Sequence, residues 1–195
     1  MIEITVGGMR IRLSLLFPAA LVVLMALDPS GMSAWCVGAS AMHEMGHFAA
    51  LLAFSARPAR ICLGVFGIRV EQDPRTPLNY GENIVVSLAG PMVNLITFLV
   101  MAGCGGITPP AMVHAVLAFF NLLPVEPLDG GQALFCSLAR HMREEKAEKV
   151  VMAASVITLL PLAAAGFYTL IDSGYNFSLL AVTLYLCLLL IFKRK

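Results

Sequence analysis

His43 and His47 stand four residues apart in the segment His43-Glu44-Met45-Gly46-His47. On a helix, side chains at that spacing share a face, so two imidazoles would point at one place with a carboxylate beside the first. Imidazoles are good zinc ligands, and a neighbouring carboxylate can take a proton from a water that such an ion activates. The pattern is short and arises by chance in soluble proteins; its surroundings sharpen it here. The segment sits in an apolar run, and an ionisable side chain in a membrane helix costs on the order of 2.5–3.5 kcal/mol on insertion scales. His43, Glu44 and His47 together need a compensating partner, and a metal ion supplies one. A polar helix–helix contact is the plainer alternative.

A catalytic zinc usually takes three protein ligands and keeps one position for water. The candidates for the third ligand are His114, Glu126, Asp129 and His141. Asp129 lies in Pro127-Leu128-Asp129-Gly130-Gly131, where the glycines let backbone approach closely. His47 precedes Arg57 by about three helical turns, roughly 15 Å, and Asp129 precedes Arg140 by a similar stretch. Both therefore fall in the half of a membrane that those arginines border. His114 lies toward the opposite end of its run, and His141 lies in a basic loop. Glu126 reads as facing water.

The elements that would position these residues are membrane spans. Hydrophobic residues make up 59% of the 195 and charged residues 13%, with a mean hydropathy of +0.85; soluble domains run at roughly 45–50% and 25%. Six apolar segments are near bilayer length, at about 13–27, 32–54, 83–103, 110–123, 150–171 and 176–192. The fourth runs into Leu123-Pro124-Val125-Glu126-Pro127-Leu128, where proline blocks a helix. Irregular backbone at membrane depth requires cover from protein or a cavity, so a cavity is expected near Pro124–Gly131. All 13 Lys and Arg fall before span one, between spans two and three, between spans four and five, or after span six. By the positive-inside rule both termini are cytoplasmic. The first span follows Arg10 and Arg12 with no small-residue cleavage site, so it is expected to be retained.

Two stretches have strand character. Ile2–Val6 and Met9–Arg12 alternate around Gly7-Gly8, a hairpin signal, and Arg60–Val70 is β-rich with Gly64 and Gly67 as bends. They would form one small sheet on the cytoplasmic side. The net charge of +1 gives no reason to expect a nucleic-acid partner. The five cysteines form no CxxC pair, so neither a structural zinc cluster nor a disulfide framework is expected.

His43-Glu44-Met45-Gly46-His47, with Asn121-Leu122-Leu123-Pro124-Val125-Glu126-Pro127-Leu128-Asp129-Gly130-Gly131 and Ala89-Gly90-Pro91-Met92-Val93-Asn94, resembles the signature motifs of site-2 proteases, the intramembrane zinc metalloproteases of peptidase family M50. The resemblance covers residues 43–131. It implies Zn2+ held by His43, His47 and Asp129, with Glu44 as catalytic base. It also places Asn121 in the cleft toward substrate, and Asn94 is a further candidate contact. The short chain with HExxH in its second of six spans, and without a PDZ-like insertion, is similar to the stage IV sporulation protein FB type. Members of that branch cleave the pro-segment of a sporulation sigma factor. Some relatives carry a C-terminal CBS domain, and ATP sensing through one is not expected of the chain as it stands.

The expected fold is thus an all-α integral-membrane site-2 protease core of six transmembrane helices with a small cytoplasmic-side β-sheet. The whole of 1–195 is expected to be a single peptidase domain: an N-terminal β-hairpin at 1–12, a catalytic core at 32–131 and two C-terminal spans at 150–192. The expected partners are a membrane-associated protein substrate, the lipid bilayer and regulatory membrane proteins, with the active site toward the cytoplasm. A catalytically silent metal-binding scaffold or sensor is the rival reading, and the intact Glu44 argues against it. A transporter would also use broken helices and buried charges, but the sequence shows no inverted repeat.

Overall fold

A computed structural model describes the strand backbones 2–6, 9–13, 58–64 and 67–72, residues 23, 25 and 26, and residues 28–56 and 77–192. Two compact units, Met1–Phe120 and Asn121–Lys195, are taken in turn.

The first unit holds a four-stranded sheet in the order β1-β2-β3-β4. Strands β1 (Ile2–Val6) and β2 (Met9–Leu13) pair antiparallel, as a two-residue connection allows. Strands β3 (Pro58–Gly64) and β4 (Gly67–Gln72) pair antiparallel as well. β2 and β3 are parallel, a pairing that needs a long crossover. That crossover contains helix α1 (Met32–Ala53), which carries the HEMGH segment. β4 is an edge strand and lies against α1.

Helix α1 begins where the Asp28 carboxylate accepts hydrogen bonds from the Ser30 and Ser33 amides, at 2.9 and 2.5 Å, and from the Ser30 hydroxyl. These bonds hold the Asp28 carboxyl well below the usual carboxylate range, the Ser30 hydroxyl contributing most and the Ser33 amide next. Helix α2 (Tyr80–Gly105) opens with a capping box: Asn79 Oδ1 accepts from the Glu82 amide at 2.9 Å, and Glu82 Oε2 accepts from the Asn79 amide at 2.8 Å. Pro91 lies inside α2. Helices α1 and α2 pack through Gly46, where an added Cβ would come within 2.7 Å of the Ala89 carbonyl oxygen and 2.9 Å of Val93 Cγ2. Such close backbone approach is how membrane helices gain packing without a hydrophobic driving force. Helix α3 (Pro109–Leu122) follows and buries Ala111, His114 and Ala118.

The second unit starts from the last turn of α3 and contains α4 (Asp129–Ala139), α5 (Glu144–Ser173) and α6 (Ser178–Phe192). Val125, Leu159, Leu186 and Leu190 form its apolar core. Gly166 brings α5 against α6, since a Cβ there would lie 2.8 Å from the Leu180 nitrogen.

Helix α4 was not expected as a separate helix. Its first turn contains Gly130 and Gly131, poor helix formers, and it forms where those glycines meet other backbone. Segment 150–171 also starts earlier than expected, as α5 takes in the charged run from Glu144. Glu144 and Glu145 in its first turn suit the helix dipole.

Helices α2 and α5 are long and apolar enough to cross a membrane by length and composition, and α3 and α6 are shorter apolar helices. Ile96, Leu99 and Val100 on α2, and Ile157, Leu160 and Phe167 on α5, are more than half exposed. Helix α1 has 22 residues but is not among the membrane-length apolar helices, because its histidines, Glu44 and small residues dilute its apolar content. The segment at about 13–27 lies almost wholly outside the described residues.

Candidate metal centre

On α1, the i, i+4 spacing sets the His43 and His47 rings edge to face, with centroids 4.8 Å apart and planes at 81°. Their Nε2 atoms lie 3.1 Å apart. The His47 Nδ1–H donates to the Val86 carbonyl at 2.7 Å. A carbonyl can only accept, so the proton of His47 sits on Nδ1 and its Nε2 carries a lone pair. Glu44 follows His43 on the helix and is half-buried.

Helix α2 supplies the opposing wall. At Gly90, an added Cβ would lie 2.9 Å from His43 Nε2 and would collide with His47 Nε2. The glycine is therefore the space the two imidazoles use. One turn on, Asn94 is fully buried, with its amide nitrogen 3.2 Å from His43 Nδ1 and its oxygen 3.0 Å from His114 Nδ1. His114 on α3 is 3% exposed. The depth argument set His114 aside, and the structure joins it to His43 through Asn94.

In the second unit, Asn121 stands in the last turn of α3, half-buried, and Asp129 opens α4. The Pro124–Leu128 break is fastened by Ser155 of α5. Its buried hydroxyl accepts the Glu126 amide at 2.9 Å and donates to the Val151 carbonyl at 2.8 Å. Val125 N–H donates to Leu123 O, and Leu128 N–H to Val125 O, which closes the turn. Gly130 and Gly131 then lie so close to the Leu122, Leu123 and Val125 carbonyls that a Cβ at either would clash. Glycine is required there by close approach, and the result fixes where α4 and Asp129 begin. Glu126 is held by its backbone, and a small cavity beside it is lined by Gly131, Gln132, Phe135 and Glu148. His141 is exposed after α4.

The family model for Peptidase family M50 matches residues 107–162, which run from α3 through the proline break and α4 into α5. The stage IV sporulation protein FB of Bacillus subtilis is 28% identical over 160 residues, covering 74% of this chain and 54% of that protein. The site-2 protease of Methanocaldococcus jannaschii superposes with a TM-score of 0.65 at 20% identity, covering 95% of this chain and 91% of the other. The chain resembles the site-2 protease family in the motif-bearing stretch and in fold.

The chain is also 34% identical over 105 residues to a candidate zinc metalloprotease of Synechocystis sp., covering 47% of this chain and 27% of that protein. The chain thus spans about half the length, or less, of these curated relatives. The family is one of membrane-embedded zinc metalloproteases, and helices α2 and α5 fit that setting. The donors on α1 fit zinc. Two zinc–nitrogen bonds of about 2.0–2.1 Å at a tetrahedral angle hold their nitrogens about 3.3 Å apart, close to the 3.1 Å between the two Nε2 atoms.

Sequence reasoning gave Val86, Gly90 and Ser155 no part in building this centre, and weighed His114 only as a third metal ligand before setting it aside on depth. Gly90 stood in a matching motif, and His114 was visible only as an ionisable residue in an apolar run.

Proposed function

We propose that this chain is an intramembrane zinc metalloendopeptidase that hydrolyses a peptide bond in or near a membrane-associated segment of a substrate protein. The observation that carries the reading is the pair of imidazoles facing each other across Gly90, with Glu44 next in sequence. His43, His47 and Asp129 are the proposed zinc ligands, two imidazoles and a carboxylate. Such a set suits a catalytic zinc with one position left for water. The membership of residues 107–162 in the M50 model supports assigning Asp129 this role.

Zinc held there supplies Lewis acidity toward a water and a peptide carbonyl. Glu44 takes a proton from the attacking water and delivers it to the leaving amine. Val86 holds His47 in the ligating tautomer. Asn121 contacts the substrate or the oxyanion, and Asn94 acts through His43. A helical substrate hides its carbonyls in internal hydrogen bonds, so it must unwind before cleavage. β4 is an edge strand against α1, and an edge can hold an unwound segment by strand addition.

The chain acts as a single membrane-embedded peptidase domain over 1–195, with both termini, the sheet and the active site toward the cytoplasm. Basic residues on one side of every span support this orientation. The similarity to the sporulation protein supports a narrower reading, processing of a sporulation pro-sigma factor.

Co-expression with membrane-associated pro-proteins of the same genome tests the proposal. Processing is expected with the wild type and lost with Glu44→Gln. Unchanged processing by Glu44→Gln would overturn the assignment of the base and favour a metal-binding scaffold.

A further inference from the structure

His114 and Asn94 are among the most buried polar side chains of the first unit, and neither is a zinc ligand in the proposed function. They form a chain of atoms with the centre: His114 Nδ1, the Asn94 amide, His43 Nδ1, His43 Nε2, His47 Nε2, His47 Nδ1 and the Val86 carbonyl. Each neutral imidazole carries one proton on one nitrogen and a lone pair on the other. The amide donates from one end and accepts at the other, and turning it about its terminal bond exchanges the ends without changing its shape.

Two proton patterns satisfy these bonds. In the first, His114 Nδ1–H donates to Asn94 Oδ1, Asn94 Nδ2–H donates to His43 Nδ1, and His43 Nε2–H donates to His47 Nε2. In the second, the amide is turned. His43 Nδ1–H then donates to Asn94 Oδ1, Asn94 Nδ2–H donates to His114 Nδ1, and His114 carries its proton on Nε2. Each ring keeps one proton in both patterns, so nothing is taken up or released. Only the second leaves a lone pair on His43 Nε2, which ligation requires.

Resting on the zinc reading above, we propose that Asn94 and His114 are positioning residues forming a two-state relay. Ligation at His43 turns the Asn94 amide and moves the His114 proton from Nδ1 to Nε2. The buried histidine on α3 thus registers metal occupancy on α1 without touching the ion. The arrangement depends on Asn94 specifically. Aspartate there accepts at both ends and holds both flanking rings in the Nδ1–H form. Leucine there leaves both flanking Nδ1 atoms without their partner.

The test is 15N NMR of full-length, histidine-labelled protein in micelles at pH 8, chelator-treated and then titrated with zinc. Protonated and lone-pair ring nitrogens resonate far apart, and the chain has only four histidines. The expected result is that His43 and His47 show ligation at Nε2 while His114 exchanges its protonated nitrogen. Ligation at His43 and His47 with the His114 tautomer unchanged would overturn the relay and leave the zinc reading standing. No response at His43 and His47 would overturn both.

Chelator competition adds a second readout. Asn94→Leu is expected to weaken zinc binding about 10–100-fold. Asn94→Asp is expected to bind zinc clearly more tightly than Asn94→Leu, since it holds His43 in the ligating tautomer, while abolishing the His114 tautomer change. A loss in Asn94→Asp as large as in Asn94→Leu would contradict the relay.

Discussion

The two units place polar side chains between helices for different ends. In the first, His43, Asn94 and His114 bond to one another across three helices. In the second, Ser155, Thr158, Thr169, Ser173 and Thr183 each bond a carbonyl one turn back on their own helix. Of these, Ser155 also takes an amide from the proline break. Polar groups in the second unit repair or quieten backbone. In the first, Thr97 does the same to the Val93 carbonyl, but His43, Asn94 and His114 hold one another in fixed orientations, which is what a metal ligand needs from its surroundings. Burial alone does not separate the cases, since Asn94 and Ser155 are both at 0% exposure. The identity of the partner does.

The largest expected effect is at Gly90. Gly90→Val fills the space the imidazoles occupy, so zinc retained after purification should fall from stoichiometric to near zero, read by metal analysis. The helix pair should meanwhile lose about 1–3 kcal/mol from overpacking. Retention of full zinc would break the contrast, because Gly90 would then be mere helix packing.

Next is Ser155→Ala, which strands the Glu126 amide. A part-buried donor that loses its acceptor costs toward the low end of about 1–3 kcal/mol. Thr183→Val, which removes only a bond within its own helix, should cost less than about 1 kcal/mol. Reversible unfolding in mixed micelles reads both. Equal losses would mean that Ser155 has no special hold on the break.

Asn79→Ala removes the capping box of α2 and should cost about 1 kcal/mol, a change seen as faster amide exchange in the first turn with zinc affinity unaltered. The smallest effect concerns Asp28. Its carboxyl is held low in the folded chain, so its contribution is fully present above its unfolded value of about 3.9. It is lost only as pH falls toward the lower folded value. Amide exchange at Ser33 should stay protected at pH 4 in the wild type and be faster in Asp28→Ala at that pH. Identical exchange in the two proteins would show that the carboxylate does not cap α1.

These contrasts also mark what could be read from the chain alone. His43 and His47 were legible because a helical i, i+4 pair needs only local geometry. The helices over segments 32–54, 83–103, 110–123 and 176–192 were legible from apolar length, with ends displaced by a few residues. The Asn94–His114 connection was not, because it depends on how three helices turn toward one another. Depth along a span did not reveal it. Helix α4 was missed because Gly130 and Gly131 oppose a helix locally, while their tight seating on the Leu122–Val125 backbone favours it. The motif containing Asp129 was legible as a resemblance, whereas the Ser155 fastening behind it lies on another helix.

The most direct test of the central claim is zinc-edge X-ray absorption on purified, folded full-length protein prepared without chelator. The account predicts stoichiometric zinc in a shell of nitrogen and oxygen donors with two imidazoles, falling to one imidazole in His47→Ala. A folded wild-type protein without stoichiometric zinc, or a shell containing sulfur, would contradict it.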